Sequence, residues 1–149
     1  MSFSILIVDD SVFVRRALRS CIERNTDWHV CGEAENGKLG VLKAGELNPD
    51  VVILDFQMPV MNGIDAARRI TTSAPHTALV MLTMHNDEQL RREAKSAGIK
   101  DVLSKSENVA DQLVALLRNI FAGSAKAFPR PPPNRFLRRR AIYSGRSRS

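Results

Sequence analysis

Five polar residues of this sequence stand at or just after the ends of short apolar segments, and their types could do chemistry together. They are Asp9, Asp10, Asp55, Thr83 and Lys105. The three carboxylates would repel one another if they lay side by side, and at least one pKa would rise unless a cation intervened. The residue types therefore indicate a site that attracts a positive ion.

Oxygen atoms make up the whole of this candidate ligand set. No cysteine and no pair of histidines stands near these positions, so a hard divalent ion is favoured, and in the cytoplasm Mg²⁺ rather than Ca²⁺. A hydroxyl and an ammonium that face the same carboxylates suit the equatorial oxygens of a phosphoryl group. The pattern indicates magnesium-dependent phosphoryl transfer, provided that the fold brings the five residues together.

The periodicity of the chain predicts such a fold. Five apolar or β-rich segments are predicted strands, at residues 4–8, 28–34, 51–54, 77–83 and 101–103. Helical spacing of apolar residues follows each strand, and the predicted helices begin at or just after Ser11, Asn36, Asn62, Asp87 and Val109. This alternation predicts an α/β domain of the flavodoxin-like (βα)₅ type, a doubly wound parallel sheet with strand order 2-1-3-4-5.

Ligands of such sheets bind outside the carboxyl ends of the strands, where the five polar residues are predicted to lie. Taken singly, each residue has an ordinary explanation. Asp9 and Asp10 could cap a helix, Asp55 could be a loop acid, Thr83 could end a strand, and Lys105 could be solvated. Their joint placement at the strand ends favours the functional interpretation.

Histidines add one open question. His85 stands two residues after Thr83, and two roles are open for it: a tuning contact with a phosphoryl group or its attacking water, and a solvated loop position. His29 and His76 are isolated and are interpreted as surface or strand residues.

Four segments together resemble the response-regulator receiver family, which is CheY-like in fold. They read I-L-I-V-D-D-S at 5–11, V-V-I-L-D-F-Q-M-P-V-M-N-G-I-D at 51–65, V-M-L-T-M at 80–84 and L-S-K-S at 103–106. The resemblance covers residues 3–122. The stretch L-T-M-H-N-D-E is most similar to receivers that usually precede a helix-turn-helix module.

The resemblance implies a role for each matching residue. Asp55 is the expected phosphoacceptor, which takes a phosphoryl group from the phosphohistidine of a sensor histidine kinase and loses it to water. Asp10, Asp55 and the backbone carbonyl of Gln57 are expected to ligate Mg²⁺, and Asp9 to act on the ion largely through water. The residues expected to bind phosphoryl oxygens are Thr83 and Lys105.

Two positions depart from the family pattern. Many receivers follow the lysine with proline, whereas this chain has Ser106, so no special peptide geometry is expected there. The position three before the lysine often carries an aromatic ring, and here it is Val102. The aromatic switch of the family is therefore missing.

Charge is distributed unevenly along the chain. Residues 1–123 carry 14 Lys and Arg against 16 Asp and Glu, whereas residues 124–149 carry eight basic residues and no acid. The formal net charge of +6 thus belongs to the tail, and nothing about nucleic acid follows for residues 1–123, the predicted receiver domain. Cys21 and Cys31 are interpreted as small apolar residues in a reducing compartment, not as a disulfide.

Residues 124–149 are rich in proline, arginine and serine, a composition typical of disorder. Three interpretations remain open: an inert tail, a tether for nucleic acid or an acidic surface, and the remnant of a truncated or frame-shifted effector region. No secretory signal and no membrane span is predicted, so the chain is expected in the cytoplasm.

The main functional hypothesis is a phosphorylation-dependent switch that is not an enzyme in its own right and acts through protein contacts. Its output partner is unknown, and a homodimer is left open. The alternative is a DNA- or RNA-binding regulator that works through the basic tail. A small flavodoxin-like enzyme is disfavoured, because no phosphate-cradling glycine loop or independent nucleophile is present.

Overall fold

A computed structural model describes residues 2–124 of the chain. It contains five strands: β1 (Ser4–Val8), β2 (His29–Ala34), β3 (Val51–Asp55), β4 (Ala78–Thr83) and β5 (Asp101–Ser104). Five helices follow them in turn: α1 (Val12–Asn25), α2 (Gly37–Leu47), α3 (Gly63–Ser73), α4 (Glu88–Ser96) and α5 (Val109–Ala122). The prediction for the tail lies outside the described residues, apart from Ser124.

All strand pairs of the sheet are parallel, and the strand order is β2-β1-β3-β4-β5. This confirms the flavodoxin-like (βα)₅ prediction. Because the strands are parallel, the carboxyl ends of β1, β3 and β4 meet at one edge of the sheet. The crossovers that leave β1 and β3 in opposite directions open a crevice at that edge. The residues that follow these strands are thereby brought together.

Most predicted boundaries agree with the structure to within one residue. The second strand begins at His29 and not at residue 28, and the fourth begins at Ala78 and not at residue 77. The pairing of β1 with β2 shifts register between Ile5 and Leu6, opposite Cys31. This bulge explains why apolar and polar residues alternate only loosely along β2.

Side chains of the central strands alternate between two apolar layers. One layer lies between the sheet and helices α2, α3 and α4, and includes Leu6, Leu54 and Met81. The other lies between the sheet and helices α1 and α5, and includes Ile7 and Ile53. Burial on both faces accounts for the nearly continuous apolar sequence of these strands.

Four of the helices begin at a residue whose side chain caps the helix. The side chains of Ser11, Asn36, Asn62 and Asp87 each accept a hydrogen bond from a backbone N–H of the first helical turn. After α4, Gly98 adopts a φ of 96°, a left-handed conformation that glycine reaches without steric cost.

The last helix buries Phe121, which is only 4% exposed. The neighbouring Ile120 is half-buried. The ring of Phe121 stacks on Phe3 with centroids 3.8 Å apart, and it meets Trp28 edge-on at 4.8 Å. Because its partners lie at the start of β1 and before β2, periodicity within the helix could not reveal them.

Cys21 and Cys31 do not form a disulfide, as predicted. Burial raises the pKa of the Cys31 thiol, so the thiol is the favoured form. Within residues 2–124, no helix has the length and apolar content needed to cross a bilayer.

Candidate functional site

Asp9 and Asp10 directly follow β1, but their side chains face different surroundings. Asp9 is 2% exposed, and its Oδ1 accepts a hydrogen bond from the Ser11 backbone N–H at 2.9 Å. Asp10 is exposed. The pair thus consists of one carboxylate fixed beneath the site and one that faces solvent.

Asp55 ends β3 and is 7% exposed. The start of α3 packs tightly on its backbone, because a Cβ placed on Gly63 would lie 2.2 Å from the Asp55 carbonyl oxygen. The Gly63 N–H also donates to the Phe56 carbonyl at 2.8 Å. Glycine at this position allows the helix to approach closely, and the approach fixes the backbone that carries Asp55.

Lys105 connects two of the carboxylates. It follows β5, and its Nζ lies 2.8 Å from Asp9 Oδ2 and 3.2 Å from Asp55 Oδ1. Its backbone N–H donates to the carbonyl of Thr83 at 2.9 Å. The ammonium therefore already lies within reach of an oxygen attached to Asp55.

Thr83 ends β4 and is 1% exposed. Its Oγ1 accepts a hydrogen bond from the His85 backbone N–H at 3.1 Å. The imidazole of His85 is exposed, as are the side chains of His29, His76 and Gln57. His85 thus contacts the site through its backbone N–H, which binds Thr83, and not through its imidazole.

Carboxylate oxygens from Asp9, Asp10 and Asp55 all lie within 4.8 Å of one another. This is the kind of oxygen cluster that a hard divalent cation bridges, and Mg²⁺ keeps several waters beside one or two carboxylates. The exposed carboxylate of Asp10 leaves room for those waters. The residues present therefore fit the ion expected from the sequence.

The electrostatics of the site also favour a bound cation. Burial, followed by the negative charge of Asp9, raises the pKa of Asp55 to about 6, although Lys105 opposes the rise. Burial alone would lower the pKa of Lys105, but the hydrogen bond to Asp9 and the two carboxylate charges outweigh it and raise the pKa. An added cation would relieve the conflict among the carboxylates.

An arginine that the sequence pattern did not indicate holds the carboxyl end of β1. Arg15 Nη1 donates to the carbonyl oxygen of Asp9 at 2.7 Å, and its Nε donates to Glu33 Oε1 at 2.9 Å. Arg19 Nε donates to the other oxygen of Glu33 at 2.7 Å. Burial alone would raise the pKa of Glu33, but the hydrogen bonds from Arg19 and Arg15 outweigh it and lower the pKa. Because Arg15 binds a backbone carbonyl, the residue types alone gave no signal of this contact.

Comparison with known proteins identifies the family. The family model of the response regulator receiver domain matches residues 5–118. The chain belongs to the response regulator receiver family. Its sheet order, its acidic edge and its lysine agree with this assignment, and the resemblance noted in the sequence is confirmed.

Two relatives of this receiver are proteins of different kinds. It is 35% identical over 146 residues to a protein-glutamate methylesterase/protein-glutamine glutaminase of Idiomarina loihiensis, with 89% of this chain and 38% of that protein covered. It is 38% identical over 117 residues to the transcriptional regulatory protein YdfI of Bacillus subtilis, with 76% of this chain and 54% of that protein covered. The chain thus spans between about a third and about half of the length of these relatives.

A solved structure shows the same fold. The response regulator domain of Thermotoga maritima CheB superposes with a TM-score of 0.74 at 33% identity, over 80% of this chain and 96% of that one. The receiver therefore resembles domains from both transcriptional regulators and methylesterases, whereas the motifs of the sequence indicated only the former.

Proposed function

We propose that Asp55 is the phosphoacceptor of this receiver. The observation that carries the proposal is its position: a buried carboxylate at the end of β3, with Lys105 Nζ 3.2 Å from Oδ1 and two further carboxylates within 4.8 Å. The donor is a sensor histidine kinase, and the chain works as a switch in the cytoplasm, not as an enzyme acting on other molecules.

The transfer exchanges one bond to phosphorus for another. A carboxylate oxygen of Asp55 bonds to the phosphorus of the kinase phosphohistidine as the phosphorus–nitrogen bond breaks, and the imidazole nitrogen keeps the electron pair. Lys105 and Thr83 hold the equatorial oxygens, with an ammonium and a hydroxyl as donors. Attack by water on the phosphorus later releases phosphate and restores the carboxylate.

Mg²⁺ would be held directly by Asp10, Asp55 and the carbonyl of Gln57, with Asp9 acting through water. The ion supplies positive charge that offsets the negative charge of the carboxylates and the phosphoryl group. Asp9 is suited to an indirect role, because its two oxygens already accept from the Ser11 N–H and from Lys105. Asp10 has an exposed carboxylate that can bind the ion.

Mass spectrometry of the full chain tests this assignment. After incubation with Mg²⁺ and acetyl phosphate, we expect one added phosphoryl group that is stable in acid and lost in base, as an acyl phosphate is. Asp55→Asn should remain unmodified, and Asp65→Asn, which changes an exposed aspartate of α3, should react like the parent. Equal modification of the parent and Asp55→Asn would overturn the proposal.

A further inference from the structure

A groove on the side of the domain is lined by apolar residues that the phosphorylation site does not use. It lies between α2 and the loop that joins β3 to α3, and its volume is about 590 Å³. Leu42 on α2 and Val60 in the loop line it, and they are 58% and 75% exposed. Two apolar side chains are thus held open to solvent across one concave surface.

Val60 is also unusual in its backbone. Its φ is 71°, in the left-handed region that β-branched residues rarely adopt because Cβ crowds the carbonyl. Glycine would fit this turn without strain, and an exposed valine adds nothing to the apolar core. Backbone strain and exposure thus both count against valine at this position.

The charge around the groove indicates what a bound molecule would carry. Lys38 and Arg69 line it, and no acidic residue does. Within residues 2–124, neither side chain forms an ion pair. The nearby Asp65 is engaged by Arg68 at 3.6 Å. The rim is therefore basic and its two cations are available to a partner.

From this geometry we infer that the groove binds an acidic, amphipathic helical segment of a partner protein. Apolar side chains on one face of the helix would cover Val60 and Leu42, and flanking carboxylates would pair with Lys38 and Arg69. The tail of this chain is a poor occupant, because residues 124–149 carry eight basic residues and no acid. A symmetric second copy would place basic rim against basic rim.

The groove is separate from the phosphorylation site, although the loop that carries Val60 begins beside Asp55. The Gly37 N–H of α2 donates to the Met61 carbonyl at 3.2 Å, which fastens α2 to this loop. The surface is therefore a preformed part of the fold. Helix-in-groove binding requires such a rigid wall on each side.

Titration of the ¹⁵N-labelled full chain with a designed peptide tests the inference. The probe has leucine at helical positions i, i+3, i+4 and i+7 and glutamate at most others; a second peptide has lysine for glutamate. We expect the acidic peptide to shift the amides of Leu42, Val60 and Met61. The basic tail also attracts this peptide, so affinity is read from these groove amides alone.

Val60→Gly separates docking from stability. It removes the apolar side chain and relieves the backbone, so we expect roughly tenfold weaker binding at the groove amides with a Tm equal to or above that of the parent. Met84→Ala is the matched control, since Met84 is 71% exposed but does not line the groove. It should leave the affinity unchanged.

Charge reversal of the rim provides a second, independent readout. Lys38→Glu combined with Arg69→Glu should weaken the acidic peptide and strengthen the lysine peptide, with the tail unchanged in both proteins. Equal binding by Val60→Gly and the parent would overturn the inference, as would amide shifts confined to residues outside the groove. A lower Tm for Val60→Gly, or self-association that this variant abolishes, would assign Val60 to the fold or to a second copy and overturn it too.

Discussion

Lys105 and Asp9 form the closest ion pair of the site, with Nζ 2.8 Å from Oδ2. The contact crosses the sheet, because Asp9 follows β1 and Lys105 follows β5, with β3 and β4 between them. In the absence of a phosphoryl group the ammonium is thus shared between Asp9 and the proposed acceptor. A phosphoryl group on Asp55 would compete with Asp9 for the same donor, so phosphorylation is expected to weaken the contact between Lys105 and Asp9.

Magnesium affinity should depend more on Asp10 than on Asp9. Asp10 has an exposed carboxylate, whereas both oxygens of Asp9 already accept hydrogen bonds. We expect Asp10→Ala to weaken Mg²⁺ binding at least about tenfold more than Asp9→Ala does. Isothermal titration calorimetry measures this directly, and Asp65→Ala serves as a surface control. Equal affinity for the parent and Asp10→Ala would contradict the direct-ligand role.

Stability without metal should fall as the pH rises through the titration of Asp55. The folded pKa is about 6 against an ordinary value of 3.8, so between these values the folded chain holds a proton that the unfolded chain has lost. By linkage, the free energy of unfolding decreases over this range and stays low above it. Each unit by which the folded and unfolded pKa values differ corresponds to about 1.4 kcal/mol of unfolding free energy. Water at the edge of the site reduces this effect.

Asp55→Asn removes this penalty. In EDTA at pH 7 we expect the variant to be about 1–2 kcal/mol more stable than the parent, and at pH 3.5 we expect the difference to vanish. Chemical denaturation at both pH values measures it. Added Mg²⁺ should stabilise the parent and not the variant. A parent more stable than the variant at pH 7 in EDTA would show that Asp55 is not under electrostatic strain.

Arg15 should matter for phosphorylation, and its neighbour Arg19 should not. Both arginines pair with Glu33, at 2.9 and 2.7 Å, but the contact with the Asp9 carbonyl is made by Arg15. We expect Arg15→Ala to require roughly tenfold more Mg²⁺ for half-maximal phosphorylation by acetyl phosphate. Arg19→Ala should behave like the parent. The same loss in both variants would point to Glu33 and not to Asp9 as the residue affected.

The structural response to phosphorylation should pass through Thr83. Its hydroxyl accepts from the His85 N–H, so a phosphoryl oxygen that attracts the hydroxyl would disturb the start of the next loop. We expect Thr83→Ala to remain phosphorylatable but to lose amide shifts over residues 84–97 when beryllofluoride is added. Nuclear magnetic resonance of the labelled chain resolves these amides.

Val102→Ala is the matched comparison in β5. Val102 is 3% exposed and packs in the layer that contains Leu90 and Ala94, so truncation should cost on the order of 1–2 kcal/mol. The link from α4 to β5 uses the Val102 carbonyl, which accepts from Arg91 at 3.2 Å and survives the change. The response over residues 84–97 should therefore persist. A response that needs Val102 and not Thr83 would refute this account.

The strand order was predictable from sequence, and so was the proximity of the candidate site residues, because buried parallel strands are short and apolar and their carboxyl ends meet at one edge. Asp55 and Lys105 stand out once the strands are placed. Contacts that depend on tertiary geometry were not predictable. Arg15 binds a carbonyl, Phe121 finds its ring partners at the other end of the chain, and Val60 gains its significance from a backbone angle.

The stack of Phe3 on Phe121, with centroids 3.8 Å apart, is one of the contacts that join β1 to α5. It joins the start of β1 to the end of α5, while the pair of Asp9 and Lys105 joins the opposite ends of the same two segments. If a phosphoryl group draws Lys105 away from Asp9, this ion pair breaks, whereas the stack of Phe3 on Phe121 is unaffected. The 14-residue helix α5, about 21 Å long, is then expected to pivot about Phe121, with its largest displacement near Val109.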